Sequence, residues 1–198
     1  MNTVIFYASD SNDEFRREAI RLSKLYDSLL VAVSCADNED RHTRRQKVLT
    51  TLADVKEIRF LAFLCHGWKQ GIQLGFDLTN VTQLASAIRN CAQNALSVAL
   101  YCCSTGGGGP DGDGGFADAL RDASGLAVNA HDGAGHTTRR PYVRRFDAGL
   151  PGKGGEWLIP QNSPYWSKWY KALKGDTELR FRYPLMSRDE IISYLQTL

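Results

Sequence analysis

Two short stretches carry side chains able to do chemistry at the ends of apolar runs. Leu96 to Gly106 (LSVALYCCSTG) passes from strand composition into a cysteine pair, and then into GGGGPDGDGG, too rich in glycine to stay helix or sheet. Ile58 to Gly67 (IRFLAFLCHG) has the same form and ends in a histidine and a glycine. In an open α/β sheet the crevice for ligands lies beyond the carboxyl ends of the strands, so two such strands would deliver His66 and Cys103 to one edge. A thiol nucleophile needs a neighbour to move its proton and donors for the charge that develops on a substrate oxygen. His66 meets the first need, and the backbone N–H groups of Gly67 and Cys103 could meet the second. Strand alternation lets only one of Cys102 and Cys103 face the crevice that His66 faces. The competing reading is of two unrelated strand-end residues, because cysteine is mostly a buried residue.

Other chemistries are weighed on the same residues. Cys65, His66, Cys102, Cys103, His131 and His136 are zinc-ligand types, but neighbours on a strand point to opposite faces, so each adjacent pair offers one ligand to a given site. A cysteine phosphatase would place an arginine soon after the thiol, where glycines and acids stand instead. Asp111 and Asp113 resemble part of a calcium loop without its closing glutamate and read as a solvated turn. The glycine run lacks the Lys-Ser/Thr of a phosphate-binding loop.

The elements that must position His66 and Cys103 follow from hydrophobic periodicity. Thr3 to Ala8 reads as a buried strand. Ser11 with Glu14 forms a capping box before a helical stripe of Phe15, Ala19, Leu22 and Tyr26. Leu29 to Cys35 is a second strand, and Val48, Leu49, Leu52 and Val55 mark a second helix before the His66 strand. WKQGIQLGFD predicts a hairpin or loop over the sheet edge, and Val81, Leu84, Ala85 and Ile88 a third helix. Phe116 to Ala123 predicts another helix and Gly125 to Ala130 another strand. This alternation implies an α/β fold: a mostly parallel central sheet with helices on both faces, joined by right-handed crossovers. Asp132 to Gly155 reads as a long loop or irregular hairpin, and Glu156 to Ile159 as a short strand. Ser163 and Pro164 begin a helix whose Trp166, Trp169, Tyr170 and Leu173 form a core stripe. Leu179 to Tyr183 alternates like an edge strand, and Ser187 with Glu190 caps a last helix.

The chain has 198 residues, 43% hydrophobic and 23% charged, and shows no linker or composition break, so one domain over 1–198 is expected. A net charge of +2 favours no nucleic-acid partner; the only dense positive cluster is Arg139, Arg140, Arg144 and Arg145. Five cysteines, an odd number placed largely in apolar runs, argue against a disulfide framework. The N-terminus has no basic region of a signal peptide, and no apolar run is long enough for a membrane span, so a cytoplasmic setting without a membrane partner is expected. The oligomeric state is left open.

LAFLCHGW and VALYCCSTG together resemble the two blocks of the caspase-like cysteine peptidases (caspases, metacaspases, legumain, gingipains, separase and CHAT domains), nearest the metacaspase and CHAT forms. The resemblance covers about Thr3 to Ala130. It implies a caspase-hemoglobinase fold with Cys103 as nucleophile, His66 as general acid/base and an oxyanion hole from Gly67 and Cys103. It also implies hydrolysis of a protein or peptide substrate through a thioester acyl-enzyme, with no cofactor and no metal. The alternative carried beside it is a non-proteolytic caspase-like binding or scaffold module, or another amide hydrolase. Tyr101 stands where metacaspases resemble one another in having an acid that helps bind a basic substrate side chain. In that family, segments beyond the fifth strand help wall the specificity pocket. Here that stretch carries Arg139, Arg140, Arg144 and Arg145, and with Tyr101 it favours an acidic or uncharged side chain before the scissile bond, against a competing set of Asp10, Asp13, Asp111 and Asp113 that would favour a basic one.

Overall fold

The structure, a computed structural model, describes residues 3–9, 13–36, 38–107, 115–133 and 142–198. Continuous apolar runs make its first three long strands: β1 (Thr3–Ser9), β2 (Ser28–Ser34) and β3 (Ile58–Leu64). Between them lie α1 (Glu14–Leu25), which buries Phe15, Ala19 and Leu22, and α2 (Arg41–Asp54), which buries Val48 and Leu52. The side chain of Asp40 accepts the N–H of Thr43 and so satisfies one of the orphan donors that start α2. A three-stranded antiparallel ribbon follows β3: β4 (Gly67–Trp68), β5 (Gly71–Ile72) and β6 (Phe76–Asp77). Next come α3 (Val81–Cys91), β7 (Ala92–Tyr101), α4 (Phe116–Ser124) and β8 (Ala127–His131). The remainder holds β9 (Val143–Phe146), β10 (Glu156–Trp157), α5 (Trp166–Gly175), α6 (Thr177–Arg182), a 3-10 turn at Tyr183–Leu185, and α7 (Arg188–Gln196).

The main sheet runs β10-β9-β8-β7-β3-β1-β2, parallel from β2 to β8, with β9 antiparallel to β8 and β10 antiparallel to β9. This is an α/β fold with a mostly parallel central sheet. The strand order reverses between β1 and β3, which puts α1 on one face and the crossover helices after it on the other. Accordingly α2, α3 and α4 pack against one another in one layer, and α1 packs with α6 in the other. The larger core fills the space around β1, β3 and β7; a second cluster joins Val143, Leu158, Trp169, Tyr183, Ile191 and Leu195. Among the described residues no helix is long and apolar enough to cross a membrane.

Three local expectations change. The proposed Ser11 capping box lies partly outside the described residues; α1 is preceded by Asp13, whose side chain makes no capping bond. Ser163 accepts from Tyr165 N instead of capping α5, which begins at Trp166 after Tyr165. Leu179 to Tyr183 is not an edge strand: α6, capped by Asp176, covers most of it and the 3-10 turn the rest. Its alternation has a different cause. Phe181 enters the larger core while Leu179 and Tyr183 enter the second one, so the segment is buried on two sides. The capping box of Ser187 and Glu190 on α7 is present as read from the sequence.

Candidate functional site

The pairing of β3 with β7 runs in register up to Leu64 opposite Tyr101. One residue further, Cys65 and Cys102 turn inward to each other, Sγ to Sγ 3.4 Å, with Cys102 Sγ also 3.3 Å from the carbonyl of Phe63. Both are fully buried, and burial pushes the Cys102 thiol well above the ordinary cysteine range. His66 and Cys103 come next along their two segments, beyond the last paired residues of β3 and β7. His66 is exposed and Cys103 half-buried, whereas Cys35, Cys65, Cys91 and Cys102 are all buried. The alternation across Cys102 and Cys103 is therefore as the strand pattern requires: one thiol in the core, the next at the edge.

Close packing holds this edge. A Cβ on Gly67 would lie 2.6 Å from Cys102 Cβ and 2.9 Å from the Cys103 carbonyl oxygen, so only glycine lets the two strand ends approach this closely. Beyond Cys103 the chain turns sharply through Ser104, at φ 57° in the left-handed region. That turn is tied down along its length. Ser104 N donates to Gly133 O, Gly106 N to His131 O, and the buried Thr105 hydroxyl to Cys102 O. The first helical N–H groups of α4, Phe116 and Ala117, donate to Lys69 O and Thr105 O. The strands, the ribbon and α4 thus converge on one edge, next to the point where the strand order reverses between β1 and β3.

His66 is gripped as well. Its N–H donates to Gln73 Oε1 at 3.2 Å, its carbonyl accepts from Gln73 N at 2.9 Å, and its ring meets Phe15 of α1 edge-on at 4.9 Å between centroids. Neither Gln73 nor Phe15 carries a residue-type signal for this role, and only the spacing of a hairpin after His66 pointed toward it.

The residues expected to contact a substrate fare differently. Tyr101 is fully buried in the core with its hydroxyl donating to the Phe181 carbonyl, so it does not face the edge. Arg139 and Arg140 lie outside the described residues. Arg144 is buried: Nε donates to Gly155 O at 2.8 Å, Nη1 to Gly106 O at 3.0 Å, and Asp132 Oδ1 stands 4.0 Å away. Arg145 pairs with Asp147 at 2.6 Å. Of the stretch expected to meet an acidic side chain, the two arginines that are described serve the protein's own backbone and carboxylates. His131 is buried at the end of β8, and His136 is outside the described residues. Among the described residues no group of three or more His, Cys, Asp or Glu is placed to hold a metal ion. A cleft of about 620 Å³ is lined by Asp132, Arg144, Glu156, Trp157 and Asn162 among others, and neither His66 nor Cys103 lines it.

Fold and site together describe an α/β protein in which an exposed imidazole, His66, and a half-buried thiol, Cys103, follow the carboxyl ends of the paired strands β3 and β7. No family model and no curated protein matches the chain. Similar solved structures are an aromatic amino acid aminotransferase with 3-indolepropionic acid (12% identity, TM-score 0.41) and one with 3-indolebutyric acid (14%, TM-score 0.41). Each of these covers 98% of this chain and 46% of its own. An aromatic amino acid aminotransferase from Burkholderia cenocepacia J2315 is similar at 12% identity and TM-score 0.39, over 99% of this chain and 45% of that one. The chain thus spans less than half the length of these structures. These findings correct the identification as a caspase-like cysteine peptidase: the solved structures found similar are aminotransferases, and no peptidase family matches. The reading as a thiol endopeptidase with a peptide substrate is withdrawn with it. A likeness this distant lends the chain no substrate and no activity of its own.

Proposed function

We propose that the carboxyl edge of β3 and β7 is a reactive-thiol site, at which Cys103 captures an electrophilic small molecule and His66 is the proton-transferring group beside it. The observation that carries this reading is the sorting of five cysteines into four buried ones and a single half-buried one, Cys103, two residues past the end of β7, whose neighbour β3 ends two residues before His66. Buried thiols are shielded from reagents, whereas a half-buried thiol at an edge can be reached by one. The N–H groups of Gly67 and Cys103 are the donors proposed to face charge that develops on the captured ligand. Iodoacetamide, a small electrophile, tests this. Cys103 alkylation should be at least about tenfold slower in His66→Ala between pH 6 and 8, as expected when a positioned proton acceptor is lost. An equal rate in the two proteins would remove His66 from the site.

A further inference from the structure

We infer that Gln73 and Phe15 are positioning residues that fix His66 from two sides, one through its main chain and the other through its ring. The assignment rests on the reactive-thiol reading of this edge and deepens it. Residues beyond the last paired position of a strand ordinarily gain freedom, and His66 is two residues past the end of β3. Gln73 removes that freedom. It accepts from the N–H of His66 with its side-chain oxygen and donates its own N–H to the His66 carbonyl, closing a ring of two hydrogen bonds around one residue. The backbone of His66 is thereby spent on Gln73 alone, and only its side chain is left to the edge.

Gln73 is itself anchored. It follows β5, which pairs with β4 directly after His66, and the ribbon is docked on α2 by three arginines. Arg44 Nη1 donates to Gln73 O at 3.4 Å, Arg45 Nη1 to Gly75 O at 3.3 Å, and Arg41 pairs with Asp77 at 2.7 Å. A Cβ at Gly75, where φ is +96°, would stand 2.3 Å from Arg41 O, so the ribbon meets α2 backbone to backbone. Phe15 supplies the complementary constraint from α1. It is buried, and its ring lies at 84° to the imidazole, an edge-to-face contact that restricts rotation of the His66 side chain. A side chain fixed this way enters the reaction without first paying for orientation.

The test measures iodoacetamide capture at Cys103 together with the imidazole C–H signals of His66 by NMR, assigned with His66→Ala. Gln73→Leu removes the acceptor and Gln73→Glu keeps it; Phe15→Leu removes the ring and Phe15→Tyr keeps it. The leucine variants should each slow capture by about fivefold, the effect of one lost neutral hydrogen bond or ring contact. They should also shift the His66 signals, and the conservative variants should restore both. In a His66→Ala background the leucine variants should have no further effect, because they act only through that imidazole. Slowing that persists in the His66→Ala background, or leucine variants with unchanged rate and unchanged signals, overturns the assignment of Gln73 and Phe15 while leaving the thiol site standing. If His66→Ala alone leaves capture unchanged, the reactive-thiol reading and this assignment fall together.

Discussion

At the ends of β3 and β7 the backbone is closely packed, with the His66 side chain left exposed and Cys103 half-buried. Along β9 and β10 the reverse holds. There a charged side chain, Arg144, is drawn inside and used on two carbonyl oxygens, stacked over the Phe146 ring at 5.5 Å. The first region spends glycine and main-chain hydrogen bonds to hold His66 and Cys103 outward; the second spends its cation to hold main chain. Residue type alone does not make a site: Arg144 has the charge to hold an anion, but the fold buries it and bonds it to its own carbonyls.

The sharpest way to break this comparison is Arg144→Ala. Removing the buried cation strands the carbonyls of Gly106 and Gly155, and urea unfolding should show a loss of about 3 kcal/mol. A loss under about 1 kcal/mol would mean that Arg144 is not structural and would return it to the pool of ligand-binding residues. Gly67→Ala comes next. Its Cβ has no room against Cys102 and the Cys103 carbonyl, so about 2 kcal/mol of stability and much of the Cys103 reactivity should go together. Stability lost with reactivity unchanged would separate packing from function at this edge. Arg145→Ala, a partly exposed pair with Asp147, should cost under about 1 kcal/mol in the same assay.

A pH titration sharpens the packing side. Tyr26 is pushed up to about 12, first by burial, and burial also raises Tyr101 and Tyr183 well above the ordinary tyrosine value. A tyrosine whose folded value is raised stabilises the fold fully below its unfolded value near 10, and that contribution is lost as pH climbs toward the folded value. Stability should therefore be insensitive to these groups at neutral pH and fall from about pH 10 upward, with their ionisation, followed by tyrosinate absorbance, coinciding with unfolding. Free ionisation of all eight tyrosines near pH 10 in the folded protein would contradict the burial assigned here.

The long strands were legible in the sequence because parallel strands buried on both faces read as unbroken apolar runs, and TVIFYA and IRFLAFL are such runs. That His66 and Cys103 follow the ends of neighbouring strands was legible for the same reason, since both runs end in step. Leu179 to Tyr183 misled because a short helix wedged between two cores buries alternate residues and imitates a strand. Arg144 misled because its type argues for solvent or an anion, and nothing local announces two carbonyls reached from Gly106 and Gly155. Gln73 was invisible because its contacts to His66 depend on the closure of a ribbon, and glutamine at that place has no pattern of its own. Tyr101 was set against a substrate by the resemblance alone, and its hydroxyl is instead buried and donates to the carbonyl of Phe181.

Of the five cysteines the fold leaves one, Cys103, outside the core. Native protein treated with less than one equivalent of iodoacetamide, then digested and mapped by mass spectrometry, tests it directly. The account predicts that nearly all label is on Cys103, with Cys35, Cys65, Cys91 and Cys102 unmodified until the protein is unfolded. Label spread over the five cysteines, or found first on Cys102, would contradict it.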